Sequence, residues 1–179
     1  MNKVIAIIPA RWGSTRLPGK PLADINGKPM IQWVYEAVKK SDVDKVIVAT
    51  DHDDILNEVK RFGGEGIMTS TKHQTGTERV LEAYQHYKDD YDLVINVQGD
   101  EPIINEEDIN HLIGVLKKNK SNIDTLVGSI TEKQKADRNT VKAILDHEEI
   151  VMFTRSPLFG SPIFIKRHKK WYYQSWYNN

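Results

Sequence analysis

Three short apolar runs without alternation constrain this chain more than any other feature: Lys3–Pro9 (KVIAIIP), Lys45–Thr50 (KVIVAT) and Leu93–Val97 (LVINV). A strand with one wet face alternates apolar and polar residues. Continuous Val and Ile must be covered on both faces, which is the habit of parallel strands beneath helices. The intervening stretches supply those helices. Met30, Trp33, Val34, Ala37 and Val38 fall on one helical face, with Pro29 suited to a first helical position. Ile55, Leu56, Val59 and Phe62 repeat the pattern before a stop at Gly63-Gly64. Thr75-Gly-Thr-Glu78 matches a capping box that opens a helix carrying Val80, Leu81 and Tyr84. Residues 106–118 form a further helix, with Ile109, Leu112, Ile113 and Leu116 inward. Additional strands are expected over 65–69, 123–130, 141–146 and 150–154, the last two as a hairpin across His147-Glu-Glu149. Alternating strands and helices predict an α/β fold with a parallel or mixed sheet under helices. No repeat or linker divides it, so one domain is expected over residues 1–165.

Charge and composition remove several classes of function. The 179 residues carry 25 Lys and Arg against 25 Asp and Glu, which argues against a nucleic-acid binder working through bulk positive charge. With no Cys, the chain has no disulfide scaffold, thiolate nucleophile or zinc-thiolate site. The start MNKVIAIIPARWGS lacks signal-peptide architecture, and no apolar stretch approaches the ~20 residues that span a bilayer. The expectation is a soluble, cytoplasmic protein with neither nucleic acid nor membrane as a partner. The even charge conceals one asymmetry: residues 166–179 hold four Lys and Arg, no acid, and five of the 15 aromatics. They show neither helical nor strand periodicity, and read as an atypical basic and aromatic tail that adds little to the domain. A binding segment for nucleic acid, membrane or a partner is the competing reading.

The long loop over residues 10–28 follows the first buried strand, where α/β sheets place ligands. It is not a P-loop: five residues separate Gly13 from Gly19 where the Walker pattern needs four, and Pro21 stands where Ser or Thr should be. No G-x-G-x-x-G follows the strand either. Instead the loop gathers Arg11, Ser14, Thr15, Arg16, Gly19 and Lys20, which offer charge-assisted donors and close backbone approach to a polyphosphate. The same composition would also suit a solvated basic loop. Asp100, after the strand Leu93–Val97, stands where a carboxylate can hold a magnesium ion (Mg2+) bridging phosphate oxygens, or where a turn simply needs an Asp. Sites of opposite sign at two strand ends favour a triphosphate-plus-metal site. His73 reads as a structural loop histidine, and Glu78 as the partner in its capping box.

These residues lie in stretches that resemble the 3-deoxy-manno-octulosonate cytidylyltransferases, the CMP-KDO synthetases of Gram-negative lipopolysaccharide synthesis. The stretches are Ile8-Pro-Ala-Arg-Trp-Gly-Ser-Thr-Arg-Leu-Pro-Gly-Lys-Pro-Leu22, Ala49-Thr-Asp-His52, His73-Gln-Thr-Gly-Thr-Glu-Arg79 and Asn96-Val-Gln-Gly-Asp-Glu-Pro102. Asn139-Thr-Val-Lys142 and Phe153-Thr-Arg-Ser-Pro157 extend the resemblance to about residue 157. The first stretch is shared loosely with sialic-acid cytidylyltransferases; the combination is specific to the KDO enzymes.

The resemblance implies a three-layer nucleotide-diphospho-sugar transferase-like fold with a mixed, mostly parallel central sheet. It implies transfer of CMP from CTP to KDO, with pyrophosphate leaving and magnesium as cofactor. Arg11 and Lys20 would hold and activate the triphosphate, and Ala10, Ser14, Arg16, Thr77 and Arg79 would complete the nucleotide site. Gln98 would face the sugar, Arg155 would pair with its carboxylate, and Asp100 would bind magnesium. Family members are longer homodimers, so the chain is expected to lack their C-terminal part, which supplies a second magnesium-binding Asp, more of the sugar pocket and much of the dimer contact. A catalytically inactive fragment that retains the nucleotide-binding fold, and a sialic-acid-type enzyme, are the alternatives. Trp12 is bulkier than the Tyr or Leu expected from the family.

Overall fold

The computed structural model describes residues 2–13, 17–118, 123–147 and 149–158, with the backbone of residues 165–173. The chain divides into two compact units, Met1–Asp124 with Tyr172–Asn179, and Thr125–Trp171. No linker composition marks the division.

In the first unit, β1 (Val4–Ala10) leads through a long loop and a short 3-10 turn (Lys20–Leu22) to a small ribbon, β2 (Asp24–Ile25) and β3 (Lys28–Pro29). The ribbon turns on Asn26-Gly27, both at positive φ (52° and 83°), the two-residue turn that Asn-Gly favours. Then come α1 (Met30–Lys39), β4 (Lys45–Thr50), α2 (Asp53–Arg61), β5 (Gly66–Met68), α3 (Gly76–Gln85), β6 (Leu93–Asn96) and α4 (Glu106–Lys118). The strands lie in the order β5-β4-β1-β6, all parallel. Tyr172 and Tyr173 add antiparallel pairing to Asn96 and Ile95, so the sheet is mixed but mostly parallel, as expected.

Val4 through Ile8 are each 0% exposed, which confirms a strand covered on both faces. Ile5 and Ile7 pack with Ile47, Ala49 and Val94 against Val80, Ala83 and Tyr84 of α3. Alternation sends Ala6 and Ile8 to the other face. There α1 meets β1 and buries Ile31, Val34 and Val38 completely. Tyr35 of α1 in turn meets Phe62 beyond α2, with ring centres 5.4 Å apart. Helix, sheet and helix thus form three layers. The Gly63-Gly64 stop is a Schellman motif: the Gly63 N–H donates to the Lys60 carbonyl (3.0 Å) and the Gly64 N–H to that of Val59 (2.8 Å). Gly63 takes the left-handed conformation this requires (φ 78°).

The second unit holds β7 (Thr125–Gly128), α5 (Glu132–Ala136), β8 (Lys142–Asp146), β9 (Glu149–Thr154) and most of β10 (Ile165–Tyr173). β8 and β9 form the expected antiparallel hairpin, with His147 at positive φ in its turn. Helix α5 was not legible from apolar spacing, yet Thr131 and Gln134 close a capping box at its start. The stretch read as an atypical tail is corrected over part of its length. Residues 165–173 form a strand that pairs with β8, and also with β7. Residues 174–179 lie outside the described ones. Among the described residues, no helix is long and apolar enough to cross a membrane.

At the start of α3 the capping box forms as predicted. The Thr75 hydroxyl accepts the Glu78 N–H (3.2 Å), while the Glu78 carboxylate accepts the Thr75 and Gln74 N–H groups (3.0 and 2.7 Å). Those backbone bonds, from Thr75 first and then Gln74, hold the Glu78 carboxyl below its ordinary range. Thr75→Ala is expected to lower stability by about 1 kcal/mol in urea unfolding. A carboxyl depressed in the folded state adds stability above its unfolded pKa, and loses it as pH falls through the folded value. Wild type should therefore lose stability relative to Glu78→Gln as pH drops below the ordinary carboxylate range; parallel pH–stability curves would remove this role.

A second expectation concerns the turn after β6. A Cβ on Gly99 would lie 2.8 Å from the Pro9 carbonyl oxygen, a backbone atom that cannot swing aside. Gly99→Ala should cost about 1–3 kcal/mol, the usual scale of overpacking, measurable by thermal unfolding.

Candidate functional site

Strands β1, β4 and β6 run parallel, so their carboxyl ends open on one edge of the first unit. From β1 the chain passes to β4 and β5 on one side before β6 is added on the other. The strand order therefore reverses between β1 and β6, and such a switch point is where open α/β sheets bind ligands. Lys20, from the loop after β1, and Asp100, from the turn after β6, meet there. Lys20 Nζ donates to Asp100 Oδ2 at 2.9 Å, with each side chain a little over one-third exposed. The two sites of opposite sign inferred from the sequence are thus in direct contact.

The loop that carries Lys20 is held at both ends. Its closing bond runs from the Gly19 N–H to the Trp12 carbonyl (3.0 Å). Gly19 sits at φ 65° just before the 3-10 turn that begins at Lys20, a conformation suited to glycine. At the other end, the Trp12 N–H donates to Asp51 Oδ1 (2.8 Å), and the Trp12 ring stacks on His52 with centres 3.8 Å apart. His52 also caps α2, its Nδ1 accepting the Asp54 N–H at 3.2 Å.

Of the residues expected to meet a nucleotide, Ala10 is the buried last residue of β1, in register with Thr50. Arg11, next in the chain, is exposed. Ser14 and Arg16 lie outside the described residues. Thr77 is exposed in the first turn of α3, and that turn abuts the site: a Cβ on Gly76 would lie 3.3 Å from Pro9 Cγ and 3.8 Å from Gln98 Oε1. Arg79 is only 2% exposed, and its guanidinium is directed inward. It donates to Asp51 Oδ2 at 2.8 Å and to the Thr69 hydroxyl.

Gln98 is half-buried and donates from Nε2 to Asn96 Oδ1 (3.1 Å). Arg155 belongs to the second unit, is exposed, and donates to the Asn139 carbonyl at 2.9 Å. Buried Lys142 ties the same segment together by donating to the carbonyls of Asp137 (2.7 Å) and Arg155 (3.2 Å). His73 contacts Glu82, whose carboxylate also accepts the Ser70 N–H (2.9 Å). That backbone bond, with His73 adding to it, holds the Glu82 carboxyl below its usual range against the opposing effect of burial.

Asp51 was missed from sequence. Its signal was its place: an acid directly after an apolar strand, where Asp100 comes four residues after β6. As for a metal, no group of three or more His, Asp or Glu gathers among the described residues. Asp100 is the carboxylate that stands against Lys20 at the switch point.

A cytidylyltransferase family model matches residues 5–175. A 3-deoxy-manno-octulosonate cytidylyltransferase from Saccharophagus degradans is 48% identical over 160 residues, which are 86% of this chain and 62% of that protein. Another from Thermodesulfovibrio yellowstonii is 46% identical over 176 residues, 93% of this chain and 69% of that protein. A solved structure of CMP:2-keto-3-deoxy-manno-octonic acid synthetase complexed with CTP matches with a TM-score of 0.88 at 38% identity, over 97% of this chain and 74% of that one. The chain spans less than two thirds of the length of the Saccharophagus relative. On the matched residues, the identities and the shared fold, the chain belongs to the cytidylyltransferase family, among the 3-deoxy-manno-octulosonate cytidylyltransferases.

Proposed function

We propose that the carboxyl edge of β1, β4 and β6 binds CTP, and that the protein transfers CMP from CTP to 3-deoxy-D-manno-octulosonate (KDO). The observation that carries the reading is the Lys20–Asp100 contact of 2.9 Å at the switch point. A cation for phosphate and a carboxylate for its counter-cation stand side by side there. The relatives' names and the CTP complex of the solved synthetase supply the nucleotide and the sugar.

The anomeric hydroxyl of KDO attacks the α-phosphorus of CTP, the bond to the β-phosphate oxygen breaks, and pyrophosphate leaves. Such a transfer requires in-line positioning and neutralisation of phosphate oxygens rather than a covalent nucleophile. Arg11 and Lys20 supply the cations, with Ser14 and Arg16 in the same loop. Lys20 moves from the Asp100 carboxylate to a phosphate oxygen. Ala10 offers backbone at the strand end, and Thr77 donates from the first turn of α3. Gln98 is assigned to the sugar, its amide braced by Asn96. In the second unit, Arg155 is assigned to the sugar carboxylate.

Magnesium fits this donor set, because it commonly takes one or two carboxylates and completes its shell with phosphate oxygens and water. Asp100 would hold it, and the ion would neutralise charge on the phosphates. The same reading, supported by the family resemblance, has the reaction occur in the cytoplasm and activate KDO for lipopolysaccharide synthesis.

Pyrophosphate release from CTP should require both KDO and magnesium; equal turnover with a sialic acid would overturn the choice of sugar. Arg11→Ala and Lys20→Ala should each lower the rate by at least about 100-fold, the scale of losing one transition-state charge contact. Unchanged rates would remove the loop from the chemistry. Asp100→Asn keeps size and hydrogen bonding but loses the charge that attracts the ion. It should abolish magnesium-dependent turnover while changing stability by no more than about 1 kcal/mol, the worth of an exposed ion pair. A large stability loss with retained activity would make Asp100 a turn residue.

A further inference from the structure

Arg79 and Asp51 form the most deeply buried ion pair among the described residues, with side chains 2% and 12% exposed. A charge removed from water must be paired and fully hydrogen-bonded, and this pair is tied on both sides. Asp51 divides its two oxygens: Oδ2 takes Arg79 at 2.8 Å and Oδ1 takes the Trp12 N–H at 2.8 Å. Arg79 also donates to the Thr69 hydroxyl, which itself donates to the Thr50 carbonyl at 3.0 Å. The arginine is therefore fixed to β4 and to the segment after β5, and the aspartate is aimed outward at the loop.

The N–H that Asp51 accepts belongs to the peptide joining Arg11 to Trp12. Because that peptide is planar, holding its N–H fixes the Cα of Arg11 as well. The next peptide carries the Trp12 carbonyl, which accepts the Gly19 N–H at 3.0 Å, and Lys20 follows directly. One carboxylate thus governs the placement of both cations, Arg11 through the bond it accepts and Lys20 through the closure on Trp12.

We propose that Arg79 and Asp51 are a positioning pair for the Arg11–Lys20 loop, and that Arg79 acts through Asp51 without touching the nucleotide. The inference rests on the CTP reading for its consequence in binding, but the anchor itself is a property of the free chain. A misplacement of 1 Å in a positioning group can cost on the order of 100-fold in rate, so a buried pair remote from the reacting atoms can matter as much as a contact.

The test measures amide hydrogen exchange at Trp12 and Gly19 in the free chain by NMR, and CTP affinity in the presence of magnesium by calorimetry. Asp51→Ala, Arg79→Met and the double variant are compared with wild type. Each single variant should speed exchange at the Trp12 amide and weaken CTP by at least about tenfold, and the double should be no worse than either single within about twofold. Asp51→Asn keeps an oxygen for the Trp12 N–H and should retain most of the protection and affinity. Multiplying losses in the double, or weak CTP binding by Arg79→Met with the Trp12 amide still protected, would mean that Arg79 meets the nucleotide directly and would overturn the proposal. If Arg79→Met does not fold, the Asp51 variants decide: Trp12 protection in Asp51→Ala equal to wild type overturns the anchor, and its loss with recovery in Asp51→Asn supports it. Failure of the wild-type chain to bind CTP would overturn the functional reading alone, since Trp12 exchange still decides the anchor.

Discussion

Burial of β1 on both faces is the constraint from which the rest of the first unit follows. Its residues from Val4 to Ile8 are wholly inaccessible, so β1 must have a strand on each edge and a helix on each face. Its beginning is tied down: the Lys3 N–H donates to Asp92 (2.8 Å) and the Val4 N–H to Asp44 (2.7 Å). Irregular backbone is left for the opposite end. Parallel neighbours end on that same side, so the residues after β1, β4 and β6 are delivered to one edge whatever their chemistry.

Two aspartates delivered in this way have diverged in role through their surroundings alone. Asp51 is almost enclosed, and both its oxygens are committed within the protein. Asp100 is three times as open by side-chain exposure, 38% against 12%, and faces a lysine that is itself partly in water. Enclosure makes the first a fixed part of the scaffold. Openness leaves the second able to change partners at modest cost, because water screens an exposed pair.

Much of this was legible in the sequence because the relevant signals are local. Apolar runs marked β1, β4 and β6; the capping box and the double glycine marked the two ends of helices. The Asn26-Gly27 turn carried an equally local signal, but the strands beside it are two residues each and show no alternation. Strand β10 was illegible for a different reason. Its residues carry no period-2 pattern, and a strand held by backbone pairing with its neighbours need not show one. The division at Asp124 likewise has no mark in the composition. In the site, Arg11, Lys20 and Asp100 stood out by charge and position. The inward turn of Arg79 could not be read, because burial of an arginine depends on a partner 28 residues away.

The bulk of Trp12, the one departure from the family's expected pattern in that loop, is accommodated by its neighbours. The indole lies flat on His52, and its far edge runs beneath Gly19, where an added Cβ would come within 3.2 Å of the ring. Positions 12, 19 and 52 therefore share a single volume. Drift at any one of them is conditional on the others: a side chain at 19 demands a smaller ring at 12, and a smaller ring leaves the imidazole at 52 without its stacking partner. In the evolution of this loop the three should change as one unit or not at all, although they lie on three different segments of chain.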